Sequence, residues 1–141
     1  MANNPQNPKP LRNRVFTVTC PLHNTVFLTE RTWFGHSVPK HSDQDLVGNV
    51  ENVKATVVDP DRARRSTDAH HGMDTCVYER VVEGTNSLIR VPVLFDSSEY
   101  EKGGMEGRIM SVFILGADEW ESGQVGKIFW VRPNKEKDEN Q

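Results

Sequence analysis

From residue 75 onward the chain is cut into short apolar runs by turn-forming residues, and a chain punctuated in this way cannot bury its apolar side chains as long helices. Residues 75–82 (TCVYERVV), 87–95 (SLIRVPVLF), 108–116 (RIMSVFILG) and 125–131 (VGKIFWV) are rich in β-branched and aromatic residues, which suit a pleated surface. Glu83-Gly84-Thr85-Asn86 separates the first two runs and Lys102-Gly103-Gly104 precedes the third; both are turn chemistry. Pro92 has no N–H to give to a ladder, so the second strand is expected at an edge or a bulge. The third is apolar enough to run through the middle of a sheet.

Upstream, residues 14–20 (RVFTVTC) alternate between an apolar and a hydroxyl-bearing face, and residues 25–29 form a second short extended segment. Residues 30–36 read as a short helix capped by Thr29. Ser42-Asp43-Gln44-Asp45 resembles a capping box. Beyond it Leu46, Val50, Val53 and Val57 fall at offsets of four, seven and eleven, one apolar stripe of a helix. Asp59-Pro60 ends that helix, because the residue before proline is driven out of helical geometry. The order predicts an α+β fold: two N-terminal helices packed on a four-stranded antiparallel sheet, with an extra strand pair at the N terminus.

A length of 141 residues fits one domain, and 35% apolar residues suffice for one core if the ends are set aside. The first ten residues hold three Asn and three Pro, and residues 133–141 are polar and charged throughout. The expected division is a disordered segment at 1–13, a folded domain at 14–132 and a charged tail at 133–141. Cys20 and Cys76 do not make a secreted disulfide framework. No long apolar run opens the chain, so neither a signal peptide nor a membrane span is expected, and the cytoplasm of a bacterial host is the expected location. The net charge of -3 argues against a broadly basic nucleic-acid face. It leaves room for a local phosphate-binding cluster at Lys54, Arg62, Arg64 and Arg65.

The residues richest in chemistry are Thr29-Glu30-Arg31-Thr32-Trp33-Phe34-Gly35-His36, with Lys40-His41 just after, and Asp59-Pro60-Asp61-Arg62-Ala63-Arg64-Arg65-Ser66. Imidazole moves protons near neutral pH and guanidinium grips phosphate with a fork of donors. Together these are what RNA cleavage without a metal requires. On a regular helix His36 and Lys40 share a face, and Pro39 breaks the helix before His41. Plainer roles compete at each position. His36 can cap or pack a helix end, His41 can be a loop residue, and the arginines can be a solvated turn. Tyr78 and Ser111 can be core residues of their strands, and Trp33, Phe34, Trp120, Phe129 and Trp130 can be core aromatics. Cys20-Pro-Leu-His23 has the two-residue gap of a zinc knuckle, which His70, His71 and Cys76 would complete. The spacing matches no known zinc pattern, and both cysteines sit in strand patterns that bury a thiol, so no metal or cofactor is expected.

The runs LTERTWFGHSVPKH, VDPDRARRS, VYER and RIMSVFIL resemble the phage-associated branch of the barnase, EndoU, colicin and RelE-like (BECR) ribonuclease superfamily, over roughly residues 26–130. In that superfamily helices precede a four-stranded antiparallel sheet whose face carries the active site. The resemblance implies a toxin or effector ribonuclease acting on RNA without a metal, with a protein immunity partner or antitoxin. It assigns catalytic positions to His36, His41, Arg62 or Arg64, Tyr78 and Ser111, where Ser replaces the Thr common in such proteins. Trp33, Lys40 and Arg65 would contact substrate. The alternative is a non-catalytic phage or mobile-element binding or inhibitor protein on the same scaffold, which the acidic total charge favours.

Overall fold

A computed structural model describes residues 13–37, 49–67, 74–123 and 125–133. Eight strands form one mixed sheet: β1 Arg14–Thr19, β2 Thr25–Thr29, β3 Arg62–Ser66, β4 Asp74–Val81, β5 Leu88–Phe95, β6 Glu106–Ile109, β7 Phe113–Leu115 and β8 Val125–Val131. Their spatial order is β1-β2-β6-β5-β4-β3-β8, with β7 on the same side of β5 as β6. Every pairing is antiparallel except β2 with β6. Among the described residues the α-helices are a single turn, α1 Glu30–Thr32, which runs on into a π-helical turn at Trp33–Ser37, and the nine-residue α2 Val50–Val58.

This overturns the expected plan of two helices on a four-stranded antiparallel sheet. Thr29 caps α1 as read, its hydroxyl accepting from the Thr32 N–H at 3.1 Å, but only three residues are α-helical before the geometry widens. Residues 62–66, read as a charged segment after a turn, are a strand inside the sheet between β4 and β8. Their guanidiniums find partners across the sheet, which local charge density conceals. The N-terminal strand pair is present, and it joins the same sheet through the parallel β2–β6 pairing.

The Ser42 capping box lies outside the described residues. In the described part of the chain α2 starts at Asn49, whose side chain accepts from Asn52 N–H at 2.9 Å, and it stops at Asp59 ahead of Pro60. Val53 and Val57 are fully buried on the predicted stripe. The third apolar run is split into β6 and β7. Pro92 explains the break: its carbonyl accepts from Met110 N–H at 2.9 Å, so its missing N–H faces the same neighbour. The ladder lapses there, between Ile109 and Phe113. Pro92 therefore marks an irregularity in the middle of the sheet rather than an edge.

The two faces of the sheet differ in kind. Cys76 and Tyr78 of β4, Ile89, Val91, Val93 and Phe95 of β5, and Ala63 of β3 project to one side and form a core with Phe16, Val26, Leu28, Val53, Val57 and Ile109. Cys20, just past β1, touches Tyr78, whose hydroxyl donates to Cys20 Sγ at 3.1 Å. In a flat sheet these strands would be about 19 Å apart, four spacings of ~4.8 Å. The sheet must therefore curl around this core, with α2 inside the curl. Buried Asn24 ties the β1–β2 turn to the chain beyond β5: its Nδ2 donates to Tyr100 O at 2.7 Å and its Oδ1 accepts from Met105 N–H at 3.0 Å.

Asn24→Ala would strand a buried carbonyl and a part-buried N–H together. A loss of about 2 kcal/mol is expected, read as a lower urea midpoint at unchanged slope. An unchanged midpoint would mean that the two turns close without this side chain.

Candidate functional site

On the outer face of the curl, strand alternation brings together the other set of side chains. Arg62 of β3, Glu79 of β4 and Arg90 of β5 stand directly opposite one another in register. The Glu79 side chain is 0% exposed. Its Oε1 lies 2.5 Å from Arg62 Nε and 3.5 Å from Arg64 Nη1, and its Oε2 lies 2.6 Å from Arg90 Nε. Three guanidiniums thus surround one buried carboxylate, and their other donors are used as well. Arg64 Nε donates to Gly126 O of β8 at 3.0 Å. Arg90 donates through Nη1 to Ser122 O at 2.6 Å and through Nη2 to Trp120 O at 2.5 Å.

Those last carbonyls belong to a strap, residues 116–123, that leaves β7 and crosses the arginines before β8. Gly123 sits at φ 90°, where a side chain is strained, and a Cβ there would lie 3.1 Å from Arg90 Nη1. The strap carries Glu121, whose side chain is 67% exposed. Its Oε1 lies 3.0 Å from Arg64 Nη2 and its Oε2 3.2 Å from Arg62 Nη2. Two guanidiniums from one strand therefore converge on a single anion at the surface. The hydrogen bond from Arg64 holds the Glu121 carboxyl below its usual range; slight burial opposes this, and the charges of Arg64 and Arg62 add to it. Burial alone would lower the pKa of Arg64, but its hydrogen bond to Glu121 and the fields of Glu79 and Glu121 outweigh burial and raise it.

The structure brings Arg62 and Arg64 together and separates them from other sequence candidates. Tyr78 points into the core on the opposite face; it is fully buried, and burial foremost pushes its phenol well above the usual range. A phenol so placed neither meets solvent nor gives up a proton near neutral pH. Arg65 also projects to the core side, paired with Glu101 and lying over the Tyr100 ring. Trp33 packs half-buried against the core cluster, whereas Phe34 beside it is exposed. Ser111 is buried in the break between β6 and β7, and its hydroxyl has no partner among the described residues. The backbone of His36 lies in the π-helical turn after β2. Its side chain, with all of Lys40 and His41, lies outside what is described.

The cysteines carry no metal-site geometry among the described residues, where no three His, Cys, Asp or Glu side chains gather to hold an ion. His70 and His71 lie outside the described residues. Cys20 and Cys76 are buried free thiols, and desolvation raises the Cys76 thiol far above its usual value, the reverse of an activated nucleophile. No described helix is long and apolar enough to cross a membrane.

Comparison of the chain with protein-family models, curated proteins and solved structures finds no match. The chemistry of the outer face then rests on its geometry: a preorganised pair of cationic forks, held by a buried carboxylate and aimed at one surface anion. Glu79, Arg90 and Glu121 were not among the sequence candidates. A signal for Arg90 existed, since it is a lone charge inside an otherwise apolar strand run, where an unpaired charge is prohibitively costly; Glu79 stands beside Arg80 in its run and gave no such signal.

Glu79→Gln should destabilise the fold by about 3–5 kcal/mol, because it leaves three guanidiniums without their central charge. Chemical denaturation measures this, and a loss below about 1 kcal/mol would mean that the arginines reach water unaided. A depressed carboxyl contributes above its unfolded pKa and loses that contribution as pH falls through its folded value. The Glu121–arginine contact should therefore survive mild acidification and open only below the usual carboxylate range. Carbon-13 NMR of the Glu121 carboxyl should show titration below that of a free glutamate; a normal or raised value would contradict the contact.

Proposed function

We propose that this protein is a metal-independent endoribonuclease of toxin or effector type that grips the RNA backbone with Arg62 and Arg64. The observation that carries the reading is the convergence of two guanidiniums on one exposed anion, 3.0 and 3.2 Å away, over a buried carboxylate that fixes their planes. Such a pair offers fork geometry to the non-bridging oxygens of a phosphodiester. The sequence resemblance of residues 26–130 to the BECR ribonucleases points to the same chemistry, although the four-stranded sheet that it also implied is replaced here by eight strands.

In this mechanism the 2′-hydroxyl of the substrate attacks the adjacent phosphorus. One imidazole takes the hydroxyl proton, the P–O5′ bond breaks, and a second imidazole returns a proton to the leaving 5′-oxygen. The products are a 2′,3′-cyclic phosphate and a free 5′-hydroxyl. His36 and His41 supply the imidazoles, a group whose ordinary pKa of about 6.5 suits both tasks. Arg62 and Arg64 meet the charge that grows on the phosphate oxygens, and each such preorganised donor is worth about 3 kcal/mol. Glu79 is a positioning residue that keeps the guanidiniums aimed. Tyr78 takes no part in proton transfer. An immunity protein would protect the host cell.

A second reading has its own observation. Trp33, at the head of the turn that carries His36, packs on the core side of the sheet, while Arg62 and Arg64 project from the other side. On that reading the arginine face binds an anionic partner without cleavage, as a phage or mobile-element inhibitor would.

Incubating the purified protein with total RNA in excess chelator separates the two. Cleavage with 2′,3′-cyclic phosphate ends is expected, abolished in His36→Ala and retained in Tyr78→Phe. Intact RNA, or turnover undiminished in His36→Ala, would overturn the catalytic assignment.

A further inference from the structure

Glu121 holds a place that the fold does not need it to hold. The strap backbone on both sides of it is clipped by Arg90, through Trp120 O and Ser122 O, whatever the Glu121 side chain does. The buried carboxylate that organises the arginines is Glu79. An ion pair made by a side chain as exposed as Glu121 adds little stability. Its two oxygens nevertheless each take an Nη2 donor from a different arginine, 3.0 and 3.2 Å away. That is the pattern two non-bridging oxygens of a phosphodiester would satisfy. The charges agree: three guanidiniums face two carboxylates, Glu79 and Glu121. Exchanging Glu121 for one phosphodiester leaves the total unchanged. The strap is itself anion-like, with Asp118, Glu119 and Glu121 and no basic residue between 116 and 123.

We propose that Glu121 is a built-in stand-in for substrate phosphate: in the free protein it occupies the subsite formed by Arg62 and Arg64, and an RNA phosphodiester enters by displacing its side chain while the strap backbone stays clipped to Arg90. The inference rests on the proposed RNA-binding role of that arginine pair, and adds that access to the pair is contested from within the chain. Glu121 is neither a catalytic residue nor a structural one but an internal competitor. It sets the apparent affinity by the fraction of time that it vacates the subsite.

If Glu121 occupies the subsite about nine-tenths of the time, removing it tightens apparent affinity about tenfold. The test uses a 2′-O-methyl oligoribonucleotide, which lacks the attacking hydroxyl and so reports binding without cleavage. Fluorescence anisotropy at fixed salt compares the full chain with Glu121→Gln, Glu121→Ala and Asp118→Asn. The last removes a charge from an exposed strap residue that has no arginine partner among the described residues. Both Glu121 variants should bind about tenfold tighter, Asp118→Asn should stay near the wild type, and Arg62→Gln added to Glu121→Ala should cancel the gain. Equal affinity of Glu121→Gln and wild type, or an equal gain from Asp118→Asn, would overturn the stand-in role and leave RNA binding in place. Absence of binding by wild type and Glu121→Ala alike would overturn the RNA reading itself.

Discussion

A carboxylate with no exposure to water must be surrounded by positive charge and donors or it will not stay ionised within a folded chain. Glu79 meets this condition through Arg62 and Arg90, directly opposite on the flanking strands, and through Arg64 one alternation along β3. Much of the outer face follows. Slipping β4 by one residue against either neighbour would turn Glu79 toward Tyr78's side and into an apolar core, so the cluster specifies register for three strands at once. Arg64 carries the constraint to β8 through the Gly126 carbonyl, and Arg90 carries it to the strap through two further carbonyls. The chain from β7 to β8 is thus held by the same charges that make β3, β4 and β5 one unit.

This division of labour gives the molecule two dissimilar faces. Inside the curl, α2, the β1–β2 pair and the aromatic residues around Tyr100 close an apolar core. The polar contacts there are local ties, such as Asn24 between two turns and Tyr78 against Cys20. On the outside, three guanidiniums share two carboxylates, the buried Glu79 and the exposed Glu121. Arginine suits this better than lysine. One planar guanidinium can hold two anions at once, as Arg62 does through Nε to Glu79 and Nη2 to Glu121.

Parts of the fold were legible in the chain for clear physical reasons. β4, β5 and β8 begin and end within a residue of the apolar runs that announced them, because strand alternation and turn residues are local signals. The Val53–Val57 stripe, the Asp59-Pro60 stop and the irregularity at Pro92 were equally local. β3 was not legible, because Arg62-Ala63-Arg64-Arg65 has the composition of a solvated turn and becomes a strand only when Glu79 and Glu101 meet its side chains from elsewhere. The pairing of β2 with β6 depends on residues roughly 80 positions apart. The site divided in the same way. Arg62 and Arg64 were recognisable as anion-binding chemistry, whereas Tyr78 looked reactive in a sequence and is a core residue in the fold.

The amino-acid sequence alone determined that this chain is strand-rich, that one helix packs by Val53 and Val57, and that cationic forks of arginine stand close together near residue 62. Each of these follows from side-chain type and spacing over a few residues. Only the tertiary structure decided which face each strand turns to the core, that Tyr78 and Arg62 lie on opposite sides of the sheet, and that Glu79 and Glu121 are the anions the arginines hold. Those outcomes depend on which strands become neighbours and in what register. Register is set by the cost of burying an unpaired charge, and that cost can be met only by residues far apart in the chain.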